Sequence, residues 1–128
     1  MHSIEDTQKE LVPVAKNGIV IPQQAESDQH LIELWLHGRS DHTQRAYSSD
    51  IKRLLDFVAK PLRQITLGDL QQFANDLSNE GLEPSSVYRT LSAIKSLFAF
   101  GHRLGYLPFD VAAPLRLPQL REKLADSN

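Results

Sequence analysis

The stretch Glu83–Tyr106, EPSSVYRTLSAIKSLFAFGHRLGY, decides how the rest of the chain is read. Val87, Leu91, Ile94, Leu97, Phe98 and Leu104 recur at steps of three and four, the spacing of one buried helix face. Pro84 suits a first helical position, and Gly105 followed by Pro108 ends the run, so one long helix is predicted. Every charge it carries after Glu83 is positive. From Pro84 to Phe109 the chain has Arg89, Lys95 and Arg103 but no Asp or Glu, although its formal net charge is −2. A helix that buries one face and offers hydroxyls and cations on the other suits a polyanion, of which DNA phosphate is the commonest.

Working outward, the segment before this helix repeats the same grammar. Thr66-Leu67-Gly68-Asp69 reads as a capped start, Leu70, Phe73, Ala74 and Leu77 as an inward face, and Gly81 as a stop. Upstream, Ser40-Asp41-His42-Thr43 offers two overlapping N-caps for a long helix with Ala46, Tyr47, Ile51, Leu54, Leu55 and Val58 inward. Pro61 disfavours helix at Lys60, so this helix is expected to end there. A first helix begins at Ser27-Asp28 and stops at Gly38. Its apolar residues Leu31, Ile32, Leu34, Trp35 and Leu36 crowd so closely that it is expected to be largely buried, with Trp35 as a core anchor. The result is an all-α bundle of four helices with a short fifth helix or turn at Asp110-Val111-Ala112-Ala113. Residues 1–26 are expected to form a flexible N-terminal arm, 27–118 the helical domain and 119–128 the start of an interdomain linker. The patch Gly18-Ile19-Val20-Ile21 is the one candidate for a docking strand.

Composition narrows the function. The chain has 128 residues and no cysteine, which excludes disulfides and thiolate metal sites and favours an intracellular, cytoplasmic setting. No apolar run is long enough for a membrane span, and the N-terminus lacks the layout of a secretory signal. Glycines are scattered, with no phosphate-binding loop, and His2, His30, His37, His42 and His102 form no helical ligand pair, so no cofactor or metal is expected. No cluster of Arg, His and Lys surrounds any tyrosine, so a complete active site is not expected. A near-neutral total means that any contact with nucleic acid comes from a local face.

Two faces qualify. On the second helix Arg45, Ser48, Ser49, Lys52 and Arg53 lie opposite the core, with Thr43 at the exposed N-terminus. Asp50 and Asp56 are within reach as intrahelical partners of these cations. On the fourth helix Ser85, Ser86, Arg89, Ser92 and Ser96 share one face, flanked by Tyr88, Lys95 and Arg103. Hydroxyls and cations in this arrangement can grip phosphates and let a few side chains probe base edges. The plain alternatives are solvated surface charge on the second helix, and capping by Ser85 and Ser86 on the fourth.

The order of residues then resembles a known family. Ser40-x-x-Thr43-x-x-x-Tyr47-x-x-Asp50-x-x-x-Leu54-x-x-Phe57, Ile65-Thr66-x-x-Asp69-Leu70-x-x-Phe73, Ser85-x-Val87-x-Arg89-x-Leu91-Ser92-Ala93-Ile94-Lys95-Ser96-Leu97-Phe98 and Gly105-Tyr106 are similar to the N-terminal core-binding domain of tyrosine recombinases, the phage integrase family. Asn-Pro often follows the fourth helix in that family. Here Phe109-Asp110-Val111 intervenes, and proline comes only at Pro114.

The resemblance implies a SAM-like orthogonal helical bundle that packs on one side of double-stranded DNA. A separate catalytic domain of the same parent recombinase closes a clamp from the other side, and further protomers share the site. It implies that cleavage by a tyrosine nucleophile belongs to that second domain, so that this chain is not itself an enzyme. It carries DNA contacts onto Thr43, Arg45, Tyr47, Ser48 and Lys52 of the second helix and onto Ser85, Ser86, Arg89, Ser92, Lys95 and Ser96 of the fourth. Replacing Arg89 and Lys95 by Ala is accordingly expected to weaken binding without unfolding the domain. Two rivals remain at this stage. Leu70–Ile94 reads as a helix-turn-helix regulator with the fourth helix alone in the groove. A protein-interaction module would use Phe100, Leu107 and Phe109 as an apolar patch.

Overall fold

The computed structural model describes residues 21–120. They form four α-helices in chain order, α1 (Asp28–Leu36), α2 (Asp41–Val58), α3 (Leu67–Asn79) and α4 (Pro84–Arg103), with a 3₁₀ turn at Leu62–Gln64 between α2 and α3. No strand occurs among the described residues, so the all-α expectation holds. The patch at 18–21 falls outside them except for Ile21, as do the arm through residue 20 and the linker from 121 onward.

Each start has a local chemical reason. The Ser27 hydroxyl accepts from the His30 amide at 3.0 Å, and that of Ser40 from the Thr43 amide at 3.2 Å. At α3 the reciprocal box closes, with Asp69 N–H donating to Thr66 Oγ1 and Thr66 N–H to Asp69 Oδ2. Hydrogen bonds from Lys60 and from the Thr66 backbone hold the Asp69 carboxyl below its ordinary value. α4 has no side-chain cap; Pro84 in its first turn lacks the N–H that would need one.

α4 is the shaft of the bundle and packs on all three other helices. Its Val87, Leu91, Ile94, Leu97 and Phe98 meet Leu31 and Trp35 of α1, Ile51 and Leu54 of α2, and Leu70, Phe73 and Leu77 of α3 in one core, none of them more than 3% exposed. Two differences from expectation concern α1. It is not buried all round: Leu34 is 37% exposed, because the bundle covers only the side bearing Leu31, Ile32 and Trp35. Ala25, ahead of the expected domain start at Ser27, is fully buried, so packing begins before the first cap.

Gly101 serves packing within α4. A Cβ there would stand 2.8 Å from Leu107 Cδ1 and 3.0 Å from Leu31 Cδ2, so its missing side chain lets the segment after α4 fold back. Gly105, at φ +78, makes the turn, and the amides of Tyr106 and Leu107 both donate to the Gly101 carbonyl.

Tyr106 then closes the domain. Its hydroxyl donates to Asp28 Oδ1 at 2.5 Å, while Asp28 Oδ2 accepts the Leu62 amide. The Arg63 guanidinium lies 4.4 Å from the Tyr106 ring centroid and donates through Nε to the Tyr106 carbonyl. Burial, reinforced by the hydrogen bond to Asp28 and that carboxylate's charge, pushes the Tyr106 phenol up to about 12. The fifth element expected at 110–113 is a turn, with Ala113 N–H donating to Asp110 O and Leu115 N–H to Ala112 O. Its position is fixed from α4: Lys95 Nζ donates to the carbonyls of Ala112 (3.1 Å), Ala113 (2.7 Å) and Leu115 (2.6 Å).

Candidate nucleic-acid interface

α2 and α4 lie side by side, and one ion pair joins their surfaces. Asp50 of α2 is buried at 4% exposure, and Arg89 of α4 approaches it through two parallel bonds, Nε to Oδ2 at 3.2 Å and Nη2 to Oδ1 at 2.7 Å. Thr90, itself buried, donates to the same Oδ1. Asp50 is therefore satisfied across the helix interface rather than by cations on its own helix. Its hydrogen bonds raise the Arg89 guanidinium above the ordinary arginine value, and the Arg89 side chain remains 53% exposed.

Next to this pair sits an aromatic shelf. Trp35 and Tyr47 stack at 5.1 Å between centroids with 15° between their planes. Arg39, in the loop between α1 and α2, rests against both, 5.2 Å from the Trp35 ring and 5.1 Å from the Tyr47 ring. Its Nε donates to the Trp35 carbonyl. Trp35 Nε1 donates to Ser96 Oγ at 3.0 Å, which attaches the shelf to α4. Tyr47 lies on α2 one turn before Asp50, the partner of Arg89.

The structure thus sorts the sequence-predicted residues into three groups. Tyr47 and Ser96 are joined through Trp35, together with Arg39, which was not among the predicted residues, and Arg89 is held separately by Asp50. Half-buried Ser92 lies one turn beyond Arg89 on α4. Thr43 stands one turn before Tyr47, its hydroxyl accepting from Ser40. Ser85 and Ser86 occupy the first turn of α4, Ser85 exposed and Ser86 half-buried.

Ser48 and Lys52 belong elsewhere. They line a groove between α1 and α2 with Ile32, Leu36 and Leu55, and Lys52 pairs with Asp56 at 2.9 Å. Arg45 is exposed on the outer side of α2, and Arg53 pairs with Glu80. Lys95 is the clearest departure: its ammonium is occupied by three backbone carbonyls, a role that periodicity could not reveal because its partners lie 17 to 20 residues away. Arg39 was missed because it sits in a loop, where helical spacing says nothing. The signal available for it was a cation four residues after Trp35, in the short loop that leads to the helix bearing Tyr47.

The arrangement can offer an anion the charge of Arg39 on its aromatic faces, while Arg89, its charge matched to Asp50, presents the free end of its guanidinium as hydrogen-bond donors. The carboxylate in this group, Asp50, is buried and neutralised. Among the described residues no group of His, Asp and Glu could hold a metal ion, and no helix is long and apolar enough to cross a membrane. The apolar patch expected of an interaction module is reduced, since Leu107 is 2% exposed and Phe109 alone stands out at 71%.

Comparison with known proteins agrees with the helical frame. The family model for the phage integrase N-terminal SAM-like domain matches residues 28–105. Tyrosine recombinase XerD of Vibrio cholerae is 33% identical over 107 residues, 80% of this chain and 35% of that protein. Tyrosine recombinase XerC of Mycobacterium tuberculosis is 36% identical over 90 residues, 68% of this chain and 30% of that protein. For XerD of Haemophilus influenzae the figures are 33% over 101 residues, 76% and 34%. The chain spans about a third of the length of these curated relatives. No solved structure matches it significantly. A family match that runs across all four helices, residues 28–105, together with recombinase relatives 33 to 36% identical over most of the chain, places this chain in the tyrosine recombinase (phage integrase) family as its N-terminal SAM-like domain.

Proposed function

We propose that this chain is the DNA-gripping, core-binding half of a site-specific tyrosine recombinase. It lays α2 and α4 against one side of a recombination site and contributes no catalytic group. Phosphodiester cleavage falls to a catalytic domain of the same parent protein, which closes on the opposite side of the duplex. The observation that carries this reading is the acid-free α4 surface, joined through Arg89 and Asp50 to α2 and flanked by Arg39 on its aromatic shelf.

The contact set is Arg39, Thr43, Tyr47, Ser85, Ser86, Arg89, Ser92 and Ser96, with Arg45 at its margin, while Ser48 and Lys52 stay with the groove between α1 and α2. Lys95 supports the face from behind. Cross-helix bonding between α2 and α4 favours this two-helix grip over a regulator that reads DNA with one helix.

The test is a backbone amide NMR titration of the chain with a short duplex at low and then moderate salt. Shifts concentrated in Arg39–Tyr47 and Ser85–Ser96 that fade with salt are expected. Binding of micromolar or weaker affinity, with about three to five phosphates neutralised, gives a log–log salt slope of about −3 to −4.5. Shifts confined to α4 would favour the single-helix regulator, and the absence of shifts at either salt would sink the DNA reading.

A further inference from the structure

Arg89 does not stand free like a phosphate-seeking cation. One edge of its guanidinium, formed by Nε and Nη2, is already matched to the two oxygens of Asp50. That carboxylate is 4% exposed and further anchored by Thr90, so it cannot swing out with the arginine. An arginine carries five N–H donors in a rigid plane. With Asp50 on the Nε/Nη2 edge, the donors left over are both N–H groups of Nη1 and one of Nη2. These lie on the far end of the plane, on a side chain 53% exposed.

Two parallel donors at the tip of a fixed plane match the O6 and N7 acceptors of guanine, the pairing that arginine makes most often with a base edge in the major groove. A phosphate contact gains little from such fixing, because a phosphate accepts from many directions. Base readout depends on it. Holding the plane in advance also removes much of the rotamer entropy that a long side chain loses on binding.

Resting on the core-binding reading above, we propose that Arg89, buttressed by Asp50, is a guanine-reading residue that sets sequence preference on this side of the site. Asp50 acts as its positioning residue. Arg39 differs in kind: it lies on aromatic faces with one backbone bond and no carboxylate among the described residues pairs with it, which leaves its charge for a phosphate.

The experiment uses the full chain. Duplexes with a randomised core are selected at low salt, and each guanine of the selected sequence is then replaced by 7-deazaguanine, which removes the N7 acceptor. One replacement is expected to weaken binding by the loss of part of a bidentate pair, within the range of about 5- to 150-fold that such a pair supplies. Arg89→Met alone would leave a buried carboxylate without its partner, so the variant that tests the reader is Arg89→Met with Asp50→Asn, checked for cooperative thermal unfolding. It is expected to bind the guanine and 7-deazaguanine duplexes equally. Asp50→Asn alone is expected to lose most of the discrimination while keeping the salt slope.

A double variant that retains the same guanine dependence, with a slope shallower by about 0.9, would make Arg89 a phosphate contact and overturn the proposal while the core-binding reading stands. Duplex binding from which no sequence emerges would do the same. Absence of duplex binding at low salt would remove both.

Discussion

Substitution of Lys95 by Met separates a supporting role from a DNA-contacting one. Methionine keeps most of the aliphatic stem and deletes the ammonium that now donates to Ala112, Ala113 and Leu115 at 2.6 to 3.1 Å. Hydrogen bonds to a charged group are each worth about 1.5 to 3 kcal/mol. The Ala113 bond is exposed, so water replaces it at little net cost. Those to Ala112 and Leu115 are partly buried and lie at the low end of the range, and desolvation of the ammonium offsets part of the gain. The net loss is about 2 to 3 kcal/mol. It falls on the turn that carries Ala112 and Leu115, both buried. Urea denaturation of Lys95→Met should therefore give a clearly lower midpoint at unchanged m, while the salt slope of duplex binding stays at its wild-type value. An unchanged midpoint together with a slope shallower by about 0.9 would place the ammonium on a phosphate and refute the reasoning.

Tyr106 gives an alkaline signature. Its folded-state value of about 12 lies above the ordinary 10.0, so its contribution is complete below pH 10 and is lost as pH rises towards 12, at up to about 1.4 kcal/mol per unit. Tyr106→Phe should lack that part of the decline, read as the difference between the two unfolding curves from pH 9 to 12; parallel curves would contradict the assignment. Gly101→Ala places a methyl against Leu107 and Leu31 and should cost about 1 to 3 kcal/mol of unfolding free energy, because those leucines have a close-packed core behind them. Arg39→Ala should reduce the salt slope of duplex binding by about 0.9 and leave sequence preference intact; a changed preference would make Arg39 a base contact.

The helix starts were legible because capping is local chemistry. Ser27, Ser40 and the Thr66/Asp69 pair each act within four residues, and the structure uses all of them. Core positions were legible where a helix has one covered side, as in α3 and α4. They were less so in α1, where dense apolar spacing gave no direction for Leu34. The 3₁₀ turn at Leu62–Gln64 left no periodic trace, since it owes its place to the Leu62 amide on Asp28, 34 residues earlier.

The candidate site was legible as a surface but not as a set of partners. Helical spacing gives the angle at which Lys95, Ser96 and Arg89 leave α4. It does not say that a returning turn takes the first, a tryptophan the second and a buried aspartate the third. Thr90 illustrates the same limit: a polar residue on an apolar face becomes intelligible only when Asp50 arrives from another helix.

The clasp between Asp28 and Tyr106 also sets a timetable. The two residues are separated by 78 positions, and Trp35 waits 61 for Ser96. At roughly 5 to 20 residues per second of synthesis, a nascent chain carries α1 for about 4 to 16 s before the tyrosine that closes over it has been made. For most of that interval Leu31, Ile32 and Trp35 have no complete α4 to cover them. The first helix is thus the part of this domain that a growing chain must shelter longest, and the last residue of the clasp is the one whose emergence ends the wait.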